Sequence, residues 1–106
     1  MKDLSIEVEV GETPHSDLTG AVDILKALGH AGRLSIMCEL LDGEKSVNML
    51  EARLGIRQAS VSQQLARLRQ DGMVRHRREG KSIFYSVANT RVRDIVETVR
   101  SEFALS

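Results

Sequence analysis

The most constraining feature of this 106-residue sequence is a pair of short amphipathic segments separated by only three residues. Ser46 is a favourable N-cap for a helix over residues 47–54, and Gly55 is a favourable stop. A second helix is predicted to begin near Gln58 and to end at Asp71-Gly72. Two short helices joined by a tight glycine-containing turn are typical of the helix–turn–helix motif. We therefore predict this motif here.

The hydrophobic period changes directly after this motif. Residues 73–78 alternate between the two faces of an extended chain, and a second β-rich run covers residues 82–87. The turn Glu79-Gly80-Lys81 between them predicts a β-hairpin, which in this position is a wing. Helices are also predicted over residues 18–28, 32–41 and 91–105. The predicted fold is mainly α with a small β-hairpin, a winged helix–turn–helix in the order α-α-α-α-β-β-α.

The chain length fits one domain, which we assign to residues 16–106. Residues 1–15 are predicted to form an N-terminal arm. Apolar residues alternate with polar ones over residues 4–10, which is compatible with a short strand, and also with a frayed terminus.

The second helix of the motif has one apolar row, formed by Val61, Leu65 and Leu68. A solvated helix face is usually rich in Glu and Lys, but residues 58–70 contain neither. Small and amide-bearing side chains suit the major groove of duplex DNA, so the composition favours groove contact over simple solvation. The face opposite the apolar row carries Ala59, Ser62, Gln63, Ala66, Arg67 and Gln70, flanked by Ser60 and Gln64.

The formal net charge is zero, but the charges are polarised along the chain. Residues 1–23 hold one lysine against six carboxylates, a net charge of −5, whereas residues 57–81 hold seven basic side chains against two carboxylates, a net charge of +5. Such a basic block favours a polyanionic partner, and we predict double-stranded DNA. Phe84 and Tyr85 are predicted to pack within the hairpin rather than to stack on DNA bases. The predicted DNA-binding residues are Arg57, Gln58, Ser60, Ser62, Gln63, Gln64, Arg67, Arg75, Arg77, Arg78 and Lys81.

The sequence resembles the ArsR/SmtB family of bacterial repressors over residues 18–105. The matching stretches are residues 25–30, 59–65, 68–74 and 77–85, together with Arg33 and Leu34. The resemblance implies a homodimer formed by the first and last helices, with two recognition helices that bind a palindromic operator, and a repressor that a chemical signal releases. One departure, Ala31-Gly32 where the family often has Pro, is expected to loosen the start of the second helix.

Within this family the sequence is most similar to the sulfur- and redox-responsive BigR/HlyU-like subgroup. That resemblance implies one thiol on the second helix, matched by Cys38, and a second near the end of the last helix, where Ala104 stands. Two interpretations of Cys38 stay open: an ordinary core residue, or a lone thiol that is persulfidated or oxidised and thereby relieves repression.

Other classes of protein are less well supported. The histidines His15, His30 and His76 have no metal-ligand spacing, so neither a metal nor another cofactor is expected. The sequence has no nucleophile–base pair and no phosphate loop, which argues against an enzyme. A winged-helix module that binds protein is the remaining rival. Without a signal peptide or a long apolar run, and with one cysteine, the chain is predicted to be cytoplasmic and not membrane-bound.

Overall fold

A computed structural model describes residues 15–105 of the chain, and its fold is mainly helical with a small three-stranded antiparallel sheet. The predicted order of helices and of the hairpin is confirmed. The predicted N-terminal arm lies outside the described residues, apart from His15, which is the first residue of α1. The elements are α1 (His15–Leu28), α2 (Ala31–Leu40), β1 (Lys45–Ser46), α3 (Val47–Leu54), α4 (Gln58–Gln70), β2 (Val74–Glu79), β3 (Ser82–Val87) and α5 (Thr90–Glu102).

Helix α2 is the centre of the domain, because it contacts α1, α3, α4, α5 and β3. Six consecutive residues of the chain, 36–41, are buried, which is possible only where neighbours surround the helix. Even Glu39 is buried, and its carboxylate accepts a hydrogen bond from Arg53 Nε at 3.0 Å. The buried apolar side chains are Ala27, Leu28, Ile36, Met37, Cys38, Leu40, Leu41, Leu50, Val61, Leu65, Leu68, Met73, Val74, Val87, Val92 and Val96.

The start of α2 is one residue earlier than predicted and is capped by a histidine. His30 Nδ1 accepts a hydrogen bond from the backbone N–H of Gly32 at 3.1 Å. Arg33 connects the same region to α1, because its Nε donates to the carbonyl oxygen of Ala27 at 2.6 Å. These two side chains satisfy backbone groups at the junction that the absence of proline was expected to loosen.

The helix–turn–helix motif has the predicted ends. Ser46 caps α3, with its Oγ accepting from the backbone N–H of Met49 at 3.2 Å. Gly55 ends α3 in the left-handed conformation, with φ 68° and ψ 30°, which glycine adopts without steric cost. Ile56 is half-buried against the core between the two helices. The turn therefore sets the angle at which α4 leaves α3.

The sheet contains one more strand than the sequence predicted. Strand β1 pairs with β3 through only two residues, and β3 also pairs with β2, so the order is β1-β3-β2. The β2–β3 turn is Gly80-Lys81, with Gly80 at φ 63°. Glu79, which was predicted to lie in the turn, lies within β2 opposite Ser82, and Arg78 is paired with Ile83 one position before it.

Helix α1 differs from prediction at its start, and α5 differs mainly at its end. Helix α1 begins three residues earlier, at His15, and α5 ends three residues earlier, at Glu102. The side chain of Asn89 caps α5 by accepting from the backbone N–H of Val92 at 2.9 Å. Several large apolar side chains at these two helices are exposed to solvent. They are Leu18, Val22 and Leu25 on α1, and Phe103 and Leu105, which follow α5.

Candidate nucleic-acid interface

Helix α4 presents the two faces that the sequence predicted. Val61, Leu65 and Leu68 are fully buried in the core. All six residues predicted for the opposite face, at positions 59, 62, 63, 66, 67 and 70, are exposed. The exposed surface therefore combines small side chains, which permit close approach, with amide and guanidinium groups that can hydrogen-bond to base edges.

The flanking residues Ser60 and Gln64 lie at one margin of this surface, and both are half-buried. A Cβ atom built onto Gly32 would be 3.7 Å from the side-chain amide carbon of Gln64, so Gln64 leans against the start of α2. Gln63, at the neighbouring position, is exposed. Of the two adjacent glutamines, Gln63 has the freer amide.

The two ends of α4 carry exposed arginines. Arg57 occupies the N-cap position and Gln58 follows it, both exposed. The Arg57 side chain makes no capping hydrogen bond. At the other end Arg67 Nε donates to Asp71 Oδ2 at 2.9 Å, an i,i+4 pair across the last turn. The Arg67 guanidinium is therefore ion-paired with a carboxylate, whereas no capping hydrogen bond restrains the Arg57 side chain.

An open cleft of about 350 Å³ lies between the wing, α4 and the start of α3. Gln58 and Ser62 line it from α4, and Lys81, Ile83 and Tyr85 line it from the wing. Tyr85 is half-buried in this wall, 6.2 Å from the ring of His76, which agrees with a packing role for the aromatic residues of the hairpin. Lys81 and Ser62 thus border one surface, although they are far apart in sequence.

The basic residues of β2 divide between the two faces of the hairpin. Arg78 is paired with Ile83 and therefore lies on the face that borders the cleft. Arg75 and Arg77 are paired with Ser86 and Phe84 on the opposite face, because side chains alternate along a strand. The structure brings Arg78 and Lys81 to the α4 side and leaves Arg75 and Arg77 on the far side.

Arg77 is held by two carboxylates on that far face. Its guanidinium forms a double hydrogen bond with Glu44, Nε to Oε1 at 2.9 Å and Nη2 to Oε2 at 2.6 Å. Its Nη1 donates to Glu79 Oε1 at 2.8 Å, and its Cζ lies 4.9 Å from the centre of the Phe84 ring. The hydrogen bond from Arg77 lowers the pKa of the Glu44 carboxyl below its ordinary value. Sequence reasoning missed Glu44, because 33 residues separate it from Arg77.

Cys38 lies on α2 with 3% of its surface exposed. Burial raises the pKa of its thiol, and the nearby Arg100 guanidinium opposes that shift only in part. A cavity of about 450 Å³ borders the cysteine, and its wall includes Leu34, Leu54 and Leu105. Ala104 precedes Leu105 in the left-handed conformation, with φ 52°. Ala104, the position that the resemblance assigns to a second thiol, therefore directly precedes a residue that lines the cavity beside Cys38.

Within residues 15–105 no group of three or more His, Cys, Asp and Glu side chains is arranged to hold a metal ion. None of the helices in this part of the chain is long and apolar enough to cross a membrane.

The fold and the exposed helix define a winged helix–turn–helix protein. Comparison with known proteins then identifies the family. The profile described as "Bacterial regulatory protein, arsR family" matches residues 30–76. The transcriptional activator HlyU of Vibrio cholerae is 46% identical over 77 residues, which are 73% of this chain and 71% of HlyU. The biofilm growth-associated repressor of Agrobacterium fabrum is 41% identical over 100 residues, 91% of this chain and 86% of that protein. This chain belongs to the arsR family of bacterial regulatory proteins.

Solved structures agree with this assignment. HlyU from Vibrio cholerae N16961 superposes with a TM-score of 0.80 at 40% identity, covering 83% of this chain and 96% of HlyU. The homodimeric winged helix–turn–helix domain of Mb0332 from Mycobacterium bovis superposes with a TM-score of 0.76 at 27% identity, covering 90% of each chain. The predicted likeness to the BigR/HlyU-like subgroup is confirmed, and the chain is a transcriptional regulator and not an enzyme.

Proposed function

We propose that this protein is a DNA-binding transcriptional repressor that binds a palindromic operator as a homodimer. The observation that carries the proposal is the exposed face of α4, which is free of Glu and Lys and borders the wing. A helix of this kind enters the major groove, and the wing contacts the adjacent backbone. Because duplex DNA is the proposed partner, we expect the protein to act in the cytoplasm.

Base contacts are assigned to the central part of α4. Gln63 is exposed, and a glutamine amide forms two hydrogen bonds with the N6 and N7 edge of adenine. Ala59 and Ala66 on the same face have short side chains, so the helix axis can approach the base edges closely. The residues proposed to flank this contact are Ser60, Ser62, Gln64 and Arg67, together with Gln58, which lines the cleft.

Phosphate contacts are assigned to exposed basic side chains around the same surface. Arg57 stands at the N-terminus of α4, where the helix dipole also favours an anion. Arg78 and Lys81 extend from the wing on the side that faces α4. The phosphate roles predicted for Arg75 and Arg77 stay predictions, since both lie on the opposite face of the hairpin.

Dimerisation is assigned to α1 and to the end of α5. Leu18, Val22 and Leu25 are spaced at i, i+4 and i+7, so they form one exposed apolar row on α1. Phe103, which directly follows α5, has 72% of its surface exposed. Removal of such apolar side chains from water is favourable, and in a two-fold dimer each of them is buried once in each subunit. Two α4 helices related by that axis would match a palindrome.

A second hypothesis concerns the control of DNA binding: reactive sulfur or oxidants modify Cys38 and thereby relieve repression. The alternative is that the protein binds DNA constitutively. The bordering cavity supports access of a small reagent to the thiol. The burial of the thiol and its raised pKa favour the alternative, because the thiolate is the reactive form. Within one subunit a lasting disulfide is impossible, since the chain has one cysteine.

The proposal is tested by selecting ligands from a pool of random DNA duplexes with the full-length protein. We expect enrichment of a palindrome, together with weaker binding of unselected duplex that falls steeply as salt rises. Selected sequences without two-fold symmetry would contradict the dimeric arrangement. No retention of any duplex at low salt would refute DNA binding and favour a protein-binding module.

A further inference from the structure

Arg77 is the centre of an ion-pair network that the DNA-binding proposal leaves unused. We propose that Arg77 is a positioning residue, which ties the wing to the residue before β1, and that the phosphate contacts of the wing belong to Arg78 and Lys81. This inference rests on the proposed DNA-binding function and concerns how its basic surface is divided.

Each of the three guanidinium nitrogens of Arg77 donates a hydrogen bond to a carboxylate. Two nitrogens bind both carboxylate oxygens of Glu44, and the third binds Glu79. A double hydrogen bond between a guanidinium and a carboxylate fixes direction as well as distance. A DNA phosphate that approached Arg77 would either displace Glu44, exchanging one anion for another, or lie beside two carboxylates that repel it. The gain from such a contact is therefore smaller than for an unpaired cation.

The network spans the full width of the sheet. Ser46 of β1, Phe84 of β3 and Arg77 of β2 are in register across the three strands. The Arg77 side chain crosses over the Phe84 ring and reaches Glu44, which is two residues before Ser46. Neighbouring strands are about 4.8 Å apart, so the Arg77 and Glu44 side chains together bridge roughly 10 Å of sheet. Strand β1 has only two residues and therefore few hydrogen bonds to β3. The contact between Arg77 and Glu44 fixes the start of this strand.

The charges on the two faces of the wing differ. On the far face, the charges of Arg75 and Arg77 are balanced by the carboxylates of Glu44 and Glu79, so these four side chains carry no net charge. On the face towards α4, neither Arg78 nor Lys81 forms an ion pair with another residue between positions 15 and 105. Arg78 and Lys81 make the second face basic, so a polyanion is attracted more strongly to the second face than to the first.

The test uses two measurements on the full-length protein. The first is hydrogen exchange of the β1 and β3 backbone amides without DNA, in Glu44→Gln, Arg77→Gln and the control Lys81→Gln. We expect exchange at Lys45 and Ser46 to be about twofold to fivefold faster in the first two variants, since an exposed ion pair is worth little. The control should match the wild type.

The second measurement is the salt dependence of binding to a random-sequence duplex. Lys81→Gln and Arg78→Gln are each expected to reduce the slope of log K against log salt by about 0.9, the value for one lost phosphate contact. Arg77→Gln should weaken binding while leaving the slope unchanged. Arg77→Lys should behave like Arg77→Gln, because lysine keeps the charge but cannot form the double hydrogen bond.

Two results would overturn the assignment. One is a slope reduction in Arg77→Gln as large as that in Lys81→Gln, and the other is unchanged exchange in both Glu44→Gln and Arg77→Gln. If the wild type bound no duplex at all, the proposed function would fall, and the exchange measurement would still decide whether Arg77 positions the wing.

Discussion

The exposed apolar row on α1 permits a numerical prediction for dimerisation. Replacing Leu25 with alanine removes three carbon groups, worth together about 2.4 kcal/mol when fully buried. Within the single domain 63% of Leu25 is exposed, so about 1.5 kcal/mol of this is available to a partner subunit. A two-fold interface contains the residue twice, which gives about 3 kcal/mol for the dimer. Leu25→Ala should therefore weaken dimerisation by about 100-fold.

Sedimentation equilibrium over a range of protein concentrations measures this dissociation constant. Met49→Ala is the matched control, because Met49 is an exposed apolar side chain on α3, outside the proposed interface. The control should dimerise like the wild type. The reasoning would be refuted by equal dissociation constants for Leu25→Ala and the wild type, or by a wild type that stays monomeric at micromolar concentration.

Two further predictions concern the thiol and the cap of α3. Because the pKa of Cys38 is raised in the folded protein, its neutral thiol stabilises the fold below the ordinary thiol pKa of 9.0, and that stability is lost as the pH rises through the raised value. Denaturant titrations should show a steeper alkaline loss in the wild type than in Cys38→Ala, and equal pH dependence would contradict the burial effect. Ser46→Ala should lower the free energy of unfolding by about 1 kcal/mol through loss of the N-cap. Thermal unfolding would disprove this if the midpoint did not change.

The parts of the fold that were predictable depend on local signals. Ser46 and Gly55 mark the ends of α3 because each satisfies backbone groups of its own helix, so neighbouring residues contain the information. The buried row of α4 was predictable for a similar reason. Its three apolar residues, Val61, Leu65 and Leu68, follow the period of the helix itself.

The missed features depend on contacts between distant residues. Strand β1 has two residues, which is too short for an alternating pattern to appear. The ladder position of Arg78 follows from its pairing with Ile83, and the pair formed by Glu44 and Arg77 requires the folded sheet. From the sequence alone, every arginine of the wing is an equivalent cation. The structure distinguishes them by the face of the hairpin and by the partner that each one has.

The most direct test of the account compares Gln63→Ala with Gln70→Ala on the selected operator. Both glutamines are exposed on α4, but Gln70 lines a cavity beside Asp23 and Lys26 of α1 and is not assigned to base contact. We expect Gln63→Ala to weaken operator binding by about 1–3 kcal/mol while leaving random-duplex binding unchanged, and Gln70→Ala to change neither. Unchanged operator affinity in Gln63→Ala would contradict the placement of α4 in the major groove.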